Sequence, residues 1–143
     1  MIFRPDPDSK AGIKTTALLS LVMAALISCG ESVPTSTSDG IFTSAQAERG
    51  EGLFDTHCVR CHSIQEFSGP AFNTIWTDLP LSALYVRIAN TMPLDQPGSL
   101  GTSEATAITA HILNENGMPS GEEALGGDVD WLMGIFISSN TNN

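Results

Sequence analysis

QAERGEGLFDTHCVRCH, residues 46–62, decides how this chain is read. Within it Ala47, Gly50, Leu53, Phe54, Cys58 and Cys61 recur at steps of three and four, the spacing that lines one face of an α-helix. Just upstream, Thr43-Ser44-Ala45-Gln46 has the form of a capping box, which predicts that the helix starts there. The stretch closes on CVRCH, residues 58–62, in which two thiols lie about one helical turn apart and an imidazole follows the second. On such a face the thiols can add across the vinyl groups of a haem edge, and the imidazole can reach the iron. Three other uses of the pair compete. A structural zinc site wants four ligands, commonly two cysteine pairs or two cysteines with two histidines, and the chain has no second pair. A redox dithiol expects a βαβ setting, which the helical pattern denies, and a disulfide across this spacing inside a helix is strained.

Working outward to the N-terminus, Arg4, Lys10 and Lys14 precede TTALLSLVMAALI at 15–27, the charged and apolar parts of an export signal. The run is shorter than the about 20 apolar residues that a spanning helix needs. Leu26-Ile27-Ser28-Cys29 closes it and resembles the bacterial lipobox, where the signal is cut before a cysteine that carries lipid. Gly30 resembles the residue that follows in proteins sorted to the outer membrane. These likenesses imply a signal peptide over 1–28, a lipid on Cys29, and a place on the periplasmic side of an outer membrane. Residues 30–42, GESVPTSTSDGIF, carry no periodicity, so 29–42 is expected to be a flexible tether and 43–143 the folded domain.

The chain has 143 residues, with 16 acidic against 6 basic side chains. That balance excludes the basic footprint which neutralising a nucleic-acid backbone requires. Cleavage before Cys29 would leave Arg49, Arg60 and Arg87 as the only basic side chains, so protein partners are expected to bring basic patches of their own.

Toward the C-terminus, 63–79 is rich in Gly, Pro and Asn and reads as a loop. Pro80 suits the first turn of a second helix, whose stripe is Leu81, Leu84, Tyr85 and Ile88. MPLDQPGSLG at 92–101 interrupts it. Thr102 or Ser103 can cap a third helix, with Ala105, Ile108 and Ile112 on its buried face and Gly117 as its stop. DVDWLMGIFI at 128–137 fits either a short helix or a strand.

From Thr43 to about Ile137 the chain resembles a class I cytochrome c, and within that class the small cytochrome domains that accompany quinoprotein dehydrogenases. The likeness lies in residues 46–62, in GPAF at 69–72 with Trp76, and in TMPLDQPGSLG at 91–101 ahead of a helix ending NENGMPSG at 114–121. It implies an all-α fold of about three main helices and long loops around one covalent haem c. Cys58 and Cys61 would hold the haem and His62 would be the proximal iron ligand. The sixth ligand could come from Met92, Met118, Met133, His57 or His111, and the family pattern places it at Met92. The family also implies that the Pro70 carbonyl accepts the proximal imidazole N–H. Trp76 and Tyr85 could donate to the propionates and Arg87 or Arg60 could pair with them, while Phe72, Ile75, Leu84, Ile88, Leu100 and Ile108 would form the apolar wall. His111 is expected to pack against the first helix around Gly50 and Phe54.

The expected role is electron transfer without catalysis, from a quinoprotein dehydrogenase to a further cytochrome or an oxidase. Two other classes are a ligand-binding or peroxidase-like haem protein, for which His111 is the available distal acid–base group, and a lipid-anchored interaction subunit whose haem serves only the fold.

Overall fold

The first helix forms where the sequence places it, and its cap explains why. In the computed structural model, which describes residues 33–139, the Thr43 hydroxyl accepts the Gln46 N–H at 3.1 Å and starts α1, Ser44–His57. Gln46 does not reach back to complete the box. Its amide instead pairs with the Leu125 backbone at both ends, Nε2 donating to the carbonyl at 2.9 Å and Oε1 accepting the N–H at 2.7 Å.

Four further α-helices follow: α2, Gly69–Trp76; α3, Leu81–Thr91; α4, Thr102–Glu115; and α5, Val129–Met133. Short 3₁₀ turns lie at Thr37–Asp39 and Ile64–Phe67, and among the described residues there is no strand, only isolated bridges. The all-α class therefore stands, with two more helices than the main three expected. Among the described residues no helix is long and apolar enough to cross a membrane. The expected signal peptide and Cys29 lie outside the described residues.

Two segments depart from the sequence reading, and the tail, which it left open between helix and strand, takes a definite form. Residues 69–76, expected as loop, are helical because Pro70 occupies the first turn, where its missing N–H costs nothing. The tail divides into helix α5 and an extended piece, 135–137, held between two other segments: Phe136 exchanges backbone hydrogen bonds with Thr35 and Thr37, while Ile135 and Ile137 bond to Leu81 and Leu79. Order also begins earlier than Thr43. Thr37, Ile41 and Phe42 are buried, and the Phe42 carbonyl accepts the Gly121 N–H at 2.7 Å, so the described part of the expected tether packs onto the domain.

The core is centred on the crossing of α1 and α4. A Cβ on Gly50 would overlap the Ala107 carbonyl oxygen and come within 2.9 Å of His111 Cβ. Absence of a side chain there lets the helices touch backbone to backbone. One turn on, the Phe54 and His111 rings sit 5.6 Å apart, and His111 is buried as expected. Gly50→Ala should therefore destabilise the protein by about 1–3 kcal/mol, as overpacking does. Gly52→Ala, on the open side of the same helix with nothing within 4 Å, should be neutral or stabilising. Denaturant unfolding of the two variants checks the contrast.

Candidate functional site

α1 delivers its C-terminus to a cavity. Cys58 caps the helix, with its N–H on the Phe54 carbonyl at 2.8 Å, and Cys61 and His62 then both donate to the Cys58 carbonyl, at 3.0 and 2.9 Å. The two cysteines thus stand on a turn just past the helix, rather than on the helix itself. Both are free thiols; Cys61 is exposed and Cys58 half-buried, and burial pushes the Cys58 thiol pKa up.

The turn leads into Ser63–Glu66, where one carboxylate serves two donors. Glu66 Oε1 accepts the Ser63 N–H at 3.0 Å and Oε2 accepts His62 Nδ1–H at 3.1 Å. These hydrogen bonds, that from His62 foremost, hold the Glu66 carboxyl below the usual carboxylate range. Phe67 stands edge-on to His62 at 5.2 Å and to Phe54 at 6.0 Å.

The cavity measures about 520 Å³ and is lined by Cys58, Cys61 and His62 on one side and by Met92, Pro93 and Leu94 on the loop that follows α3. Phe54, Leu84, Ile88, Leu100, Ile108 and Ile112 supply apolar walls, with Trp76 and Arg87 among them. This volume lies within the range of about 300–1,000 Å³ that holds small organic ligands. Arg60 and Asp95, also on the lining, join the two sides through an Nη2–Oδ2 contact of 2.7 Å. The Arg60 guanidinium holds the Asp95 carboxyl below its ordinary value and is itself raised by it.

The structure brings Cys58, Cys61, His62, Met92, Trp76, Arg60 and Arg87 to one cavity, and His57 lies on the same lining. Pro70 and Tyr85 do not join them. The Pro70 carbonyl accepts the Thr74 hydroxyl at 2.8 Å within α2, and the imidazole N–H goes to Glu66. Tyr85 is buried, with its hydroxyl end close against Gly127. Of the expected apolar wall, Phe72 belongs to the core away from the cavity and Ile75 is exposed. Met118 is buried in the core, and Met133 is exposed. His111 lines a second cavity of about 340 Å³, which shares Phe54 and His62 with the first. Among the described residues no three His, Cys, Asp or Glu side chains gather to hold a bare metal ion.

Sequence reasoning passed over Glu66, Phe67 and Asn116. Asn116 is 1 % exposed, and its amide closes the site from behind: Oδ1 accepts the Gly69 N–H at 2.9 Å, and Nδ2 donates to the carbonyls of Phe67 and Ile112 at 2.8 Å each. It thereby caps α2 in place of a local side chain, since Ser68 makes no cap bond. The signal available was an asparagine at the end of an apolar helix beside the Gly117 stop. Compared with known proteins, the chain matches no protein family, no curated protein and no solved structure.

Asn116→Ala would leave the Gly69 N–H and the Phe67 carbonyl without their partner. It should cost about 2–3 kcal/mol and loosen the 63–69 segment first. Hydrogen exchange at Gly69, read beside global unfolding, measures both effects.

Proposed function

We propose that the protein is a lipid-anchored electron carrier of the class I cytochrome c type, with one haem c in the 520 Å³ cavity. The observation that carries this reading is convergence: both thiols of CVRCH, His62 and Met92 line one apolar cavity although they come from two separate loops. The donor set fits the group. Free thiols stand ready for two thioether bonds, an imidazole follows them, and a soft thioether lies on the other loop. Such a group supplies one reversible electron at its iron.

This chain's residues would do the rest. Cys58 and Cys61 retain the macrocycle covalently, so a small exported protein keeps it. His62 and Met92 would supply the nitrogen and sulfur donors to the iron, a pair suited to electron transfer rather than to binding substrate. Leu84, Ile88, Leu100, Ile108 and Ile112 keep water from the ring, and Arg60 and Arg87 are the cations on the lining that can pair with its carboxylates. None of these tasks makes or breaks a substrate bond, so the protein is read as a carrier and not as an enzyme. The peroxidase-like alternative asks for an acid–base group on the Met92 side. His111, which the sequence offered for that task, packs against Phe54 and is not on the large cavity, and Asp95, which is, is engaged by Arg60.

With so few arginines among many acids, the carrier suits partners that present basic patches. A quinoprotein dehydrogenase as donor, and a further cytochrome or an oxidase as acceptor, follow from the resemblance. A lipid on Cys29 would hold it at the envelope membrane.

Expression with the haem-attachment machinery tests the site. Cys58→Ala with Cys61→Ala should abolish covalent haem. Met92→Ala should retain it, lose the near-infrared band of sulfur-to-ferric-iron bonding and bind carbon monoxide, whereas Met118→Ala should keep the band. Loss of the band in Met118→Ala and its survival in Met92→Ala would overturn the ligand assignment. Cys29→Ser should move the protein from the membrane to the soluble fraction with its visible spectrum unchanged.

A further inference from the structure

We propose that Glu66 is a positioning residue for the proximal imidazole and that its negative charge makes the bound iron harder to reduce. The inference deepens the electron-carrier reading and rests on it.

The argument starts from what a carboxylate can do. An ionised carboxylate only accepts hydrogen bonds, so the 3.1 Å contact to His62 requires the proton on Nδ1. In the neutral ring Nε2 is then the unprotonated nitrogen, with its lone pair free for a metal, on a side chain that lines the cavity. Tautomer and direction are set together.

Glu66 is itself held in place. Its other oxygen accepts the Ser63 N–H at 3.0 Å, so both ends of the carboxylate are committed within one 3₁₀ turn. Phe67 limits rotation of the imidazole from its edge, and Asn116 fixes Phe67 through its carbonyl. The neutral acceptor that the sequence offered, the Pro70 carbonyl, receives the Thr74 hydroxyl. The partner of His62 is therefore an anion.

Charge of the acceptor matters as much as its presence. A carboxylate draws the Nδ1 proton toward itself more strongly than a peptide carbonyl does, which raises electron donation from the ring and favours ferric over ferrous iron. Losing an outer-shell partner of this kind costs about 10–100-fold in metal affinity or activity, and the lower end of that range sets the scale expected for the redox equilibrium. A 10-fold change in a one-electron equilibrium is about 59 mV.

The test uses the full chain matured with haem. In Glu66→Gln, covalent haem and the near-infrared band of methionine ligation should be unchanged. The ratio of ferrous to ferric protein at a fixed poise should rise about 10-fold, a midpoint about 59 mV more positive. Glu66→Ala should shift the same way and should weaken protection of the His62 Nδ1 proton against exchange in proton NMR. Glu51→Gln removes an equal charge from the rim of the second cavity, which His62 also lines, without touching Nδ1, and should move the midpoint far less. Haem-loaded Glu66→Gln at the wild-type midpoint, or a Glu51→Gln shift of equal size, would overturn the role of Glu66 and leave the carrier reading intact. A wild-type protein without thioether-bound haem would overturn both.

Discussion

The contact of α1 with α4 at Gly50 and Ala107 is a backbone contact, and most of the site hangs from it. Two helices that close sit at fixed distance and angle, because no side chain is left between them to repack. α1 can then deliver Cys58, Cys61 and His62 to one place. α4, locked against it, presents Ile108 and Ile112 to the cavity and Asn116 to the loop behind His62. A wider crossing would displace the thiols from the apolar wall and the Asn116 amide from Phe67 at the same time. Site geometry is in this sense an outcome of helix packing remote from the chemistry.

Electrostatics act on a finer scale. The chain carries many acids and few bases, yet two of the three arginines among the described residues line the cavity. One of them, Arg60, spans from the cysteine turn to Asp95 on the methionine loop, in a pair that is half-exposed or more on both sides. Such pairs contribute little to stability in water. This one ties the turn that carries Cys58, Cys61 and His62 to the loop that carries Met92. The His62–Glu66 contact is of another kind, because it fixes which nitrogen carries a proton.

Much of this was legible in the sequence. CVRCH and the three-and-four spacing before it locate α1 and the thiol turn, and apolar stripes locate α3 and α4. Met92 caps the C-terminus of α3 and lines the cavity with Pro93 and Leu94, where the loop read from the sequence begins. What escaped were the features made by long-range hydrogen bonds. α2 is capped by Asn116, 47 residues away from Gly69, so local composition read as a loop. The tail after α5 is extended because Phe136 finds backbone partners near Thr35, about a hundred residues earlier, which no periodicity announces. The partner of the His62 imidazole differs from the one the resemblance implied for a related reason. Family likeness points to a proline carbonyl, while the capping box Ser63–Glu66 quietly puts a carboxylate closer.

The seam at the two ends of the domain has a mechanical meaning. Thr35 and Thr37 are bonded to Phe136, and the hydroxyls of Ser36, Ser38 and Ser138 meet beside them at 2.6 and 2.8 Å. Any pull on the N-terminal segment arrives first at these bonds. They would pass it to residues 79–81 on the far side of the tail, and not to the thiol turn. Tension on the N-terminal segment is thus taken up at the seam before it can reach the turn that carries Cys58, Cys61 and His62.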